Sequence, residues 1–223
     1  MGLPAILFYI VSAIVEMKKT AMVVLSILSL SVTVAFGWDN QATKSDDSKS
    51  YGYFVAGNPG DISTKTSYGL LLMGGGKDVA SAFQWMIEKS GGGDFVVLRA
   101  SGTDAYNSFI AGLGKTDSVE TLIIKTREAA SDPFIIGKIR NAEAIYIAGG
   151  DQWNYVRNWK GTPVEDAINF VASKKKAPIG GTSAGLAVLG EFLYSAHIDG
   201  VASADALADP FSERVTVVRQ FLS

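Results

Sequence analysis

The chain has 223 residues, of which 48% are apolar and 19% charged, proportions that fit one globular domain plus an extra apolar N-terminus. With 20 basic against 22 acidic side chains, there is no basic footprint of the kind nucleic-acid binding needs. The absence of cysteine excludes disulfides, cysteine nucleophiles and thiolate metal sites, and a single histidine argues against zinc.

Residues 1–37 read as an upstream apolar segment followed by a signal peptide. Met17-Lys18-Lys19-Thr20 supplies a charged start, Ala21 to Ala35 an apolar run, and Ala35-Phe36-Gly37 small residues for cleavage before Trp38. Met1 to Val15 is also apolar, so an uncleaved anchor is the alternative. Glu16, Lys18 and Lys19 split the two runs, however, and each is shorter than a spanning helix of about 20 residues. The expectation is translation from Met17, export to a secreted or periplasmic location, and no stable membrane span after signal removal. Residues 38–67, rich in Ser, Thr, Asp, Lys and Gly, read as a polar, irregular lead-in segment.

From Tyr68 onward, short runs of branched apolar residues alternate with amphipathic stretches, the pattern of strand-helix units around a parallel sheet. The fold expected for residues 68–223 is an α/β three-layer sandwich. Strands are expected at Gly69 to Met73, Phe95 to Arg99, Thr121 to Ile124, Ala144 to Ala148 and Pro178 to Gly180. Val79, Phe83, Trp85, Met86 and Ile87 recur at near-helical spacing, and Gly91-Gly92-Gly93 stops that helix. Val164, Ala167, Ile168 and Val171 mark another, with Lys174 to Lys176 as a solvated cap at its C-terminus.

Ligands of such sheets bind beyond the carboxyl ends of the strands, and three expected strands end in glycines: Gly74-Gly75-Gly76-Lys77, Gly149-Gly150-Asp151-Gln152 and Gly180-Gly181-Thr182-Ser183. Gly181-Thr182-Ser183-Ala184-Gly185 fits the Gly-x-Ser-x-Gly elbow, in which a sharp strand-helix turn lifts a serine above the sheet. Ser183 is therefore the candidate nucleophile. The N–H of Ala184 is one candidate oxyanion donor, and Gly150 or its neighbours a second. Asp151 and Gln152 offer a carboxylate and an amide to a substrate, although Asp151 also suits a helix cap. The turn with Gly75 and Gly76 lacks the upstream glycine and the Ser/Thr of a phosphate loop, and it fails the dinucleotide spacing.

The glycine-rich first turn, Gly149-Gly150-Asp151-Gln152 and Gly180-Gly181-Thr182-Ser183-Ala184-Gly185 together resemble the cyanophycinase and dipeptidase E family of serine peptidases. The similarity runs from about Tyr68 to the end, through Asp199-Gly200 and Ala204 to Phe211. It implies the class I glutamine-amidotransferase-like (flavodoxin-like) fold, a nucleophile at Ser183, a site lined by Gln152, and no metal or organic cofactor. The implied partner is a peptide or cyanophycin-like polymer (β-Asp-Arg, isoaspartyl or aspartyl bonds), with the oligomeric state open, a homodimer included. Asp151-Gln152, where the dipeptidase E branch usually has Asn-Thr, favours the cyanophycinase branch. The family's catalytic histidine lies in an Asp-x-His-Phe segment downstream of the part similar to Ala204 to Leu222. The expectation is thus that the chain as given lacks that histidine and any acid after it, since His197 is not at that position. A non-catalytic binding protein on the same fold is the competing reading. An α/β-hydrolase esterase is disfavoured, because its acid and histidine would both have to follow Ser183 in about forty residues.

Overall fold

The structure is a computed structural model and describes residues 50–222. The upstream segment, the signal peptide and the first part of the lead-in segment lie outside the described residues. No helix among the described residues is long and apolar enough to cross a membrane.

The remainder of the lead-in segment is not irregular throughout. Strand β1, Tyr51–Gly57, pairs antiparallel with β4, Ser118–Ile124, from Tyr51 opposite Ile124 to Gly57 opposite Ser118. The strand signal is weak here because β1 is an edge strand with glycine at both 52 and 57 and only two buried positions. Phe134 covers it, stacking on Tyr51 and meeting Tyr53 edge-on.

The other strands follow the expected alternation. In chain order come β2, Leu70–Met73; helix α1, Ala80–Lys89; β3, Asp94–Arg99; helix α2, Tyr106–Ala111; and β4. Then follow helix α3, Pro133–Asn141; β5, Ala144–Ile147; helix α4, Gln152–Trp159; helix α5, Pro163–Phe170; β6, Ile179–Thr182; and the single turn α6, Ala184–Ala187. The six strands form one sheet in the order β1-β4-β3-β5-β6-β2, parallel except for β1. A small antiparallel pair, β7 (Phe192–Tyr194) and β8 (Val217–Arg219), flanks helix α7, Ser203–Ala208, in the sequence.

Strand alternation sends side chains to both faces, and each face has its own helices. Val96, Leu98, Ile145 and Ile147 pack with α3, α4 and α5 through Ile135, Trp159 and Ile168. Phe95, Val97 and Tyr146 pack with α1 and α2 through Phe83, Met86 and Ile110. The result is the three-layer sandwich the sequence pattern implies. Each of these buried aliphatic and aromatic side chains contributes about 1.5–3 kcal/mol of transfer free energy. The glycines after α1 end it as expected, with the Gly91 N–H donating to Glu88 O.

Of the lysines after α5, Lys174 and Lys176 are exposed as a solvated cap would be, but Lys175 is not. It ends a π-helical turn, Val171–Lys175, and its ammonium reaches the buried Glu143 carboxylate at 2.7 Å. This pair belongs to a polar cluster at the amino end of the sheet. Ser118 Oγ lies 2.6 Å from Asp94 Oδ1 and 3.1 Å from Glu120 Oε1, Lys138 pairs with Glu120 at 2.9 Å, and Glu143 accepts from the Asp94 N–H at 3.0 Å. Asp94, Glu120 and Glu143 are all buried. Desolvation by that burial pushes all three carboxyls above the ordinary range.

Candidate active site

The sheet order makes β5, β6 and β2 neighbours, with β6 in the middle. Their three glycine-bearing ends therefore meet at one place on the carboxyl edge. Ser183 is the residue between β6 and α6, exposed, with φ 51° and ψ −119°. This is a backbone conformation that L side chains rarely adopt, and at a non-glycine residue it costs of order 1–3 kcal/mol. Surrounding packing has to hold it there.

The flanking small residues show how. A Cβ at Gly181 would overlap the carbonyl of Gly185, and a Cβ at Gly185 would overlap the carbonyl of Ile147 on β5. The turn can reverse against the sheet only because both positions lack side chains. Ala187 N and Val188 N then donate to the carbonyls of Ser183 and Ala184, closing the short helix. Ala184 opens that helix, so its N–H belongs to a first turn that has no intrahelical acceptor.

The two outer turns close on the serine. A Cβ added to Gly75 would sit 3.5 Å from Ser183 Oγ, and one added to Gly149 would sit 3.5 Å from Ser183 Cβ. On the β2 side, the Ser183 N–H donates to Met73 O at 3.3 Å, and Thr182 Oγ1 donates to Gly74 O at 2.9 Å. On the β5 side, the buried Tyr155 hydroxyl donates to Ala148 O at 2.6 Å, propping the start of the Gly149-Gly150 turn from below. Burial raises the pKa of that phenol and keeps it a donor.

Asp151 caps α4, accepting from the Trp153 N–H at 2.9 Å and from Asn154 Nδ2 at 3.3 Å. Its carboxylate thus has the capping role as its local anchor. Gln152 is the first residue of α4 and is partly exposed. Gly76, with φ 110°, continues the open first turn. Of the sequence-identified residues, Ser183, Ala184, Gly75, Gly76, Gly150, Asp151 and Gln152 all lie in the three turns at this edge. Sequence reasoning missed Thr182 and Tyr155, whose hydroxyls tie the outer turns to the framework. Neither hydroxyl stands out in the sequence, because one lies inside the elbow motif and the other reads as a core position of a helix.

His197 is elsewhere engaged. It is exposed, its ring centroid lies 4.1 Å from that of Trp153, and its backbone N–H donates to Thr216 Oγ1 at 3.2 Å. Among the described residues no hydrogen bond joins the Ser183 hydroxyl to His197 or to a carboxylate.

A strained serine at a glycine-flanked strand-helix turn is what a family comparison can test, and the sequence model of peptidase family S51 matches residues 70–208. The chain belongs to peptidase family S51. The matched region includes all three glycine turns and Ser183. Over 106 residues the chain is 28% identical to a protein named cyanophycinase from Geminocystis herdmanii (strain PCC 6308), covering 48% of this chain and 39% of that protein. A solved structure, a peptidase from an acI-B1 Actinobacterium, aligns over 60% of each chain with 21% identity and a TM-score of 0.46. The part shared with the named cyanophycinase spans only 39% of that relative's length.

Proposed function

We propose that this S51 chain is an exported serine peptidase of the cyanophycinase kind, hydrolysing β-Asp-Arg polymer or related aspartyl and isoaspartyl peptides with Ser183 as nucleophile. The observation that carries the reading is the strained backbone of Ser183, held at positive φ by glycine packing and bracketed by turns from both neighbouring strands. Strain of this kind at an exposed hydroxyl has no evident use in stability. It presents Oγ at the sheet edge, between the turns at Gly75 and Gly149.

In this reading Ser183 Oγ attacks the scissile carbonyl carbon, and the carbonyl π electrons move onto oxygen. The N–H of Ala184, with an N–H at Gly150, stabilises that oxyanion. A general base takes the hydroxyl proton and returns it to the leaving amine as the C–N bond breaks. Water then cleaves the resulting ester. Gln152 and Asp151 orient the substrate at the start of α4. The cyanophycinase relative and the Asp-Gln pair support a polymer substrate over a dipeptide. Export is supported by the order of charged, apolar and small residues before Trp38.

A binding protein on the same fold is the second reading, favoured by the lack of a base hydrogen-bonded to Ser183 among the described residues. Incubation with β-Asp-Arg polymer and with isoaspartyl dipeptides, followed by amine release and by equilibrium binding, separates the two. In a chain that supplies the general base, the peptidase reading expects release that disappears in Ser183→Ala. Binding without release from that same chain, unaffected by Ser183→Ala, would favour the binder.

A further inference from the structure

We infer that Tyr106 is a positioning residue which clasps the glycine turn Gly74–Asp78 over Ser183 by donating a hydrogen bond to Asp78. Its link to catalysis rests on the reading of Ser183 as nucleophile. The turn is poorly held by packing. Gly74, Gly75 and Gly76 have no side chains, Lys77 is exposed, and a Cβ at Gly74 or Gly76 would meet nothing within 4 Å. Two side-chain hydroxyls hold its ends instead. At the near end Thr182 Oγ1 binds Gly74 O at 2.9 Å. At the far end the Tyr106 hydroxyl binds Asp78 Oδ1 at 3.1 Å, across 28 residues of sequence.

The far anchor is a rigid one. Tyr106 opens α2, its ring packs 5.3 Å from Tyr146 and 5.9 Å from Phe83, and both of those are buried in the core. Asp78, half-buried, has no other hydrogen bond or ion pair among the described residues. Burial raises the Tyr106 pKa, so the phenol stays protonated and donates across the neutral range. The same glycine turn approaches Ser183 Oγ through Gly75. An anchor at Asp78 therefore sets how closely that turn approaches Ser183 from the neighbouring strand.

The test uses the exposed Lys77 as a reporter inside the turn. Endoproteinase Lys-C cuts there only when the turn opens, and the exposed Lys115 in the loop before β4 serves as the control. Tyr106→Phe keeps the ring and removes the donor. It should raise the cleavage rate after Lys77 by about two- to tenfold, the opening expected from one lost hydrogen bond, with Lys115 and the melting temperature little changed. Asp78→Ala should match it, and Asp78→Asn, which keeps an acceptor oxygen, should stay near wild type, each rate being normalised to that of the unfolded variant. Equal rates at Lys77 in wild type and Tyr106→Phe, or equal acceleration at both lysines, would overturn the clasp. Fluorophosphonate labelling of the same samples keeps the two claims apart. In a chain that supplies the general base, wild type that resists labelling while Tyr106→Phe opens at Lys77 removes the peptidase reading and leaves the clasp. Wild type that labels at Ser183 while Lys77 is insensitive to Tyr106→Phe does the reverse.

Discussion

The α-carbon of Gly185, the last residue of the Gly-x-Ser-x-Gly turn, lies so close to the Ile147 carbonyl at the end of β5 that the two residues leave no space for a Cβ between them. The neighbouring atoms are backbone, so they cannot swing aside as a side-chain tip could. Gly185→Ala should therefore cost more than ordinary overpacking, about 3 kcal/mol or more, out of a total that for a domain of this size is about 5–15 kcal/mol. Urea unfolding followed by tryptophan fluorescence checks it. A loss under about 1 kcal/mol would mean that α6 is free to move off β5, and that the elbow is less tightly held than described.

Ser183 itself should be a destabilising residue. At φ 51° and ψ −119° a glycine is comfortable and an alanine is as strained as the serine. Ser183→Gly should raise stability by about 1 kcal/mol, whereas Ser183→Ala should leave it nearly unchanged. Paired thermal melts of the three proteins read this directly. Equal stability of the glycine and alanine variants would show that the backbone is not strained at this residue.

Much of this was legible in the sequence. Five strands, the helix stopped by Gly91, and the elbow at Ser183 come from patterns that depend on the chain alone: apolar alternation, glycine breaks and a five-residue motif. What escaped was set by tertiary partners. Strand β1 is stabilised by pairing with β4 and by Phe134, not by its own composition. Lys175 looks like one of three solvated lysines until Glu143 is placed beneath it. The Tyr106–Asp78 and Tyr155–Ala148 bonds link residues whose roles depend on which strands become neighbours. The order β5-β6-β2 that brings the three turns together is a property of topology, and no local spacing encodes it.

The amino-end cluster predicts a pH dependence opposite to that of ordinary paired carboxylates. Burial raises the folded-state pKa values of Asp94, Glu120 and Glu143 above those of the unfolded chain. Between the two values the folded protein holds more protons than the unfolded one, so this contribution to stability is complete below about pH 4, the unfolded carboxylate range, and is lost as pH rises through the folded pKa values. The single Ser118 hydrogen cannot serve both the Asp94 and the Glu120 oxygens near it, which disfavours having both ionised. A neutral amide in place of the Asp94 carboxyl would imitate the protonated acid. Asp94→Asn should thus gain stability relative to wild type as pH is raised from about 4 to 8, measured as the difference in melting temperature at each pH. A difference that stays flat or moves the other way would contradict the raised pKa at Asp94.

The central claim is that Ser183 is a nucleophile presented at the carboxyl edge of the sheet. Its most direct test is treatment of the folded chain with a fluorophosphonate probe, followed by proteolysis and mass-spectrometric mapping of the adduct. In a chain that supplies the general base, a single adduct on Ser183 is expected, absent from unfolded protein and from Ser183→Ala, and retained in His197→Ala because His197 rests on Trp153 and does not hydrogen-bond to the serine. Labelling lost in His197→Ala would show that His197 is the base after all. An adduct spread over other serines, or none on Ser183 in the folded chain, would contradict the nucleophile itself.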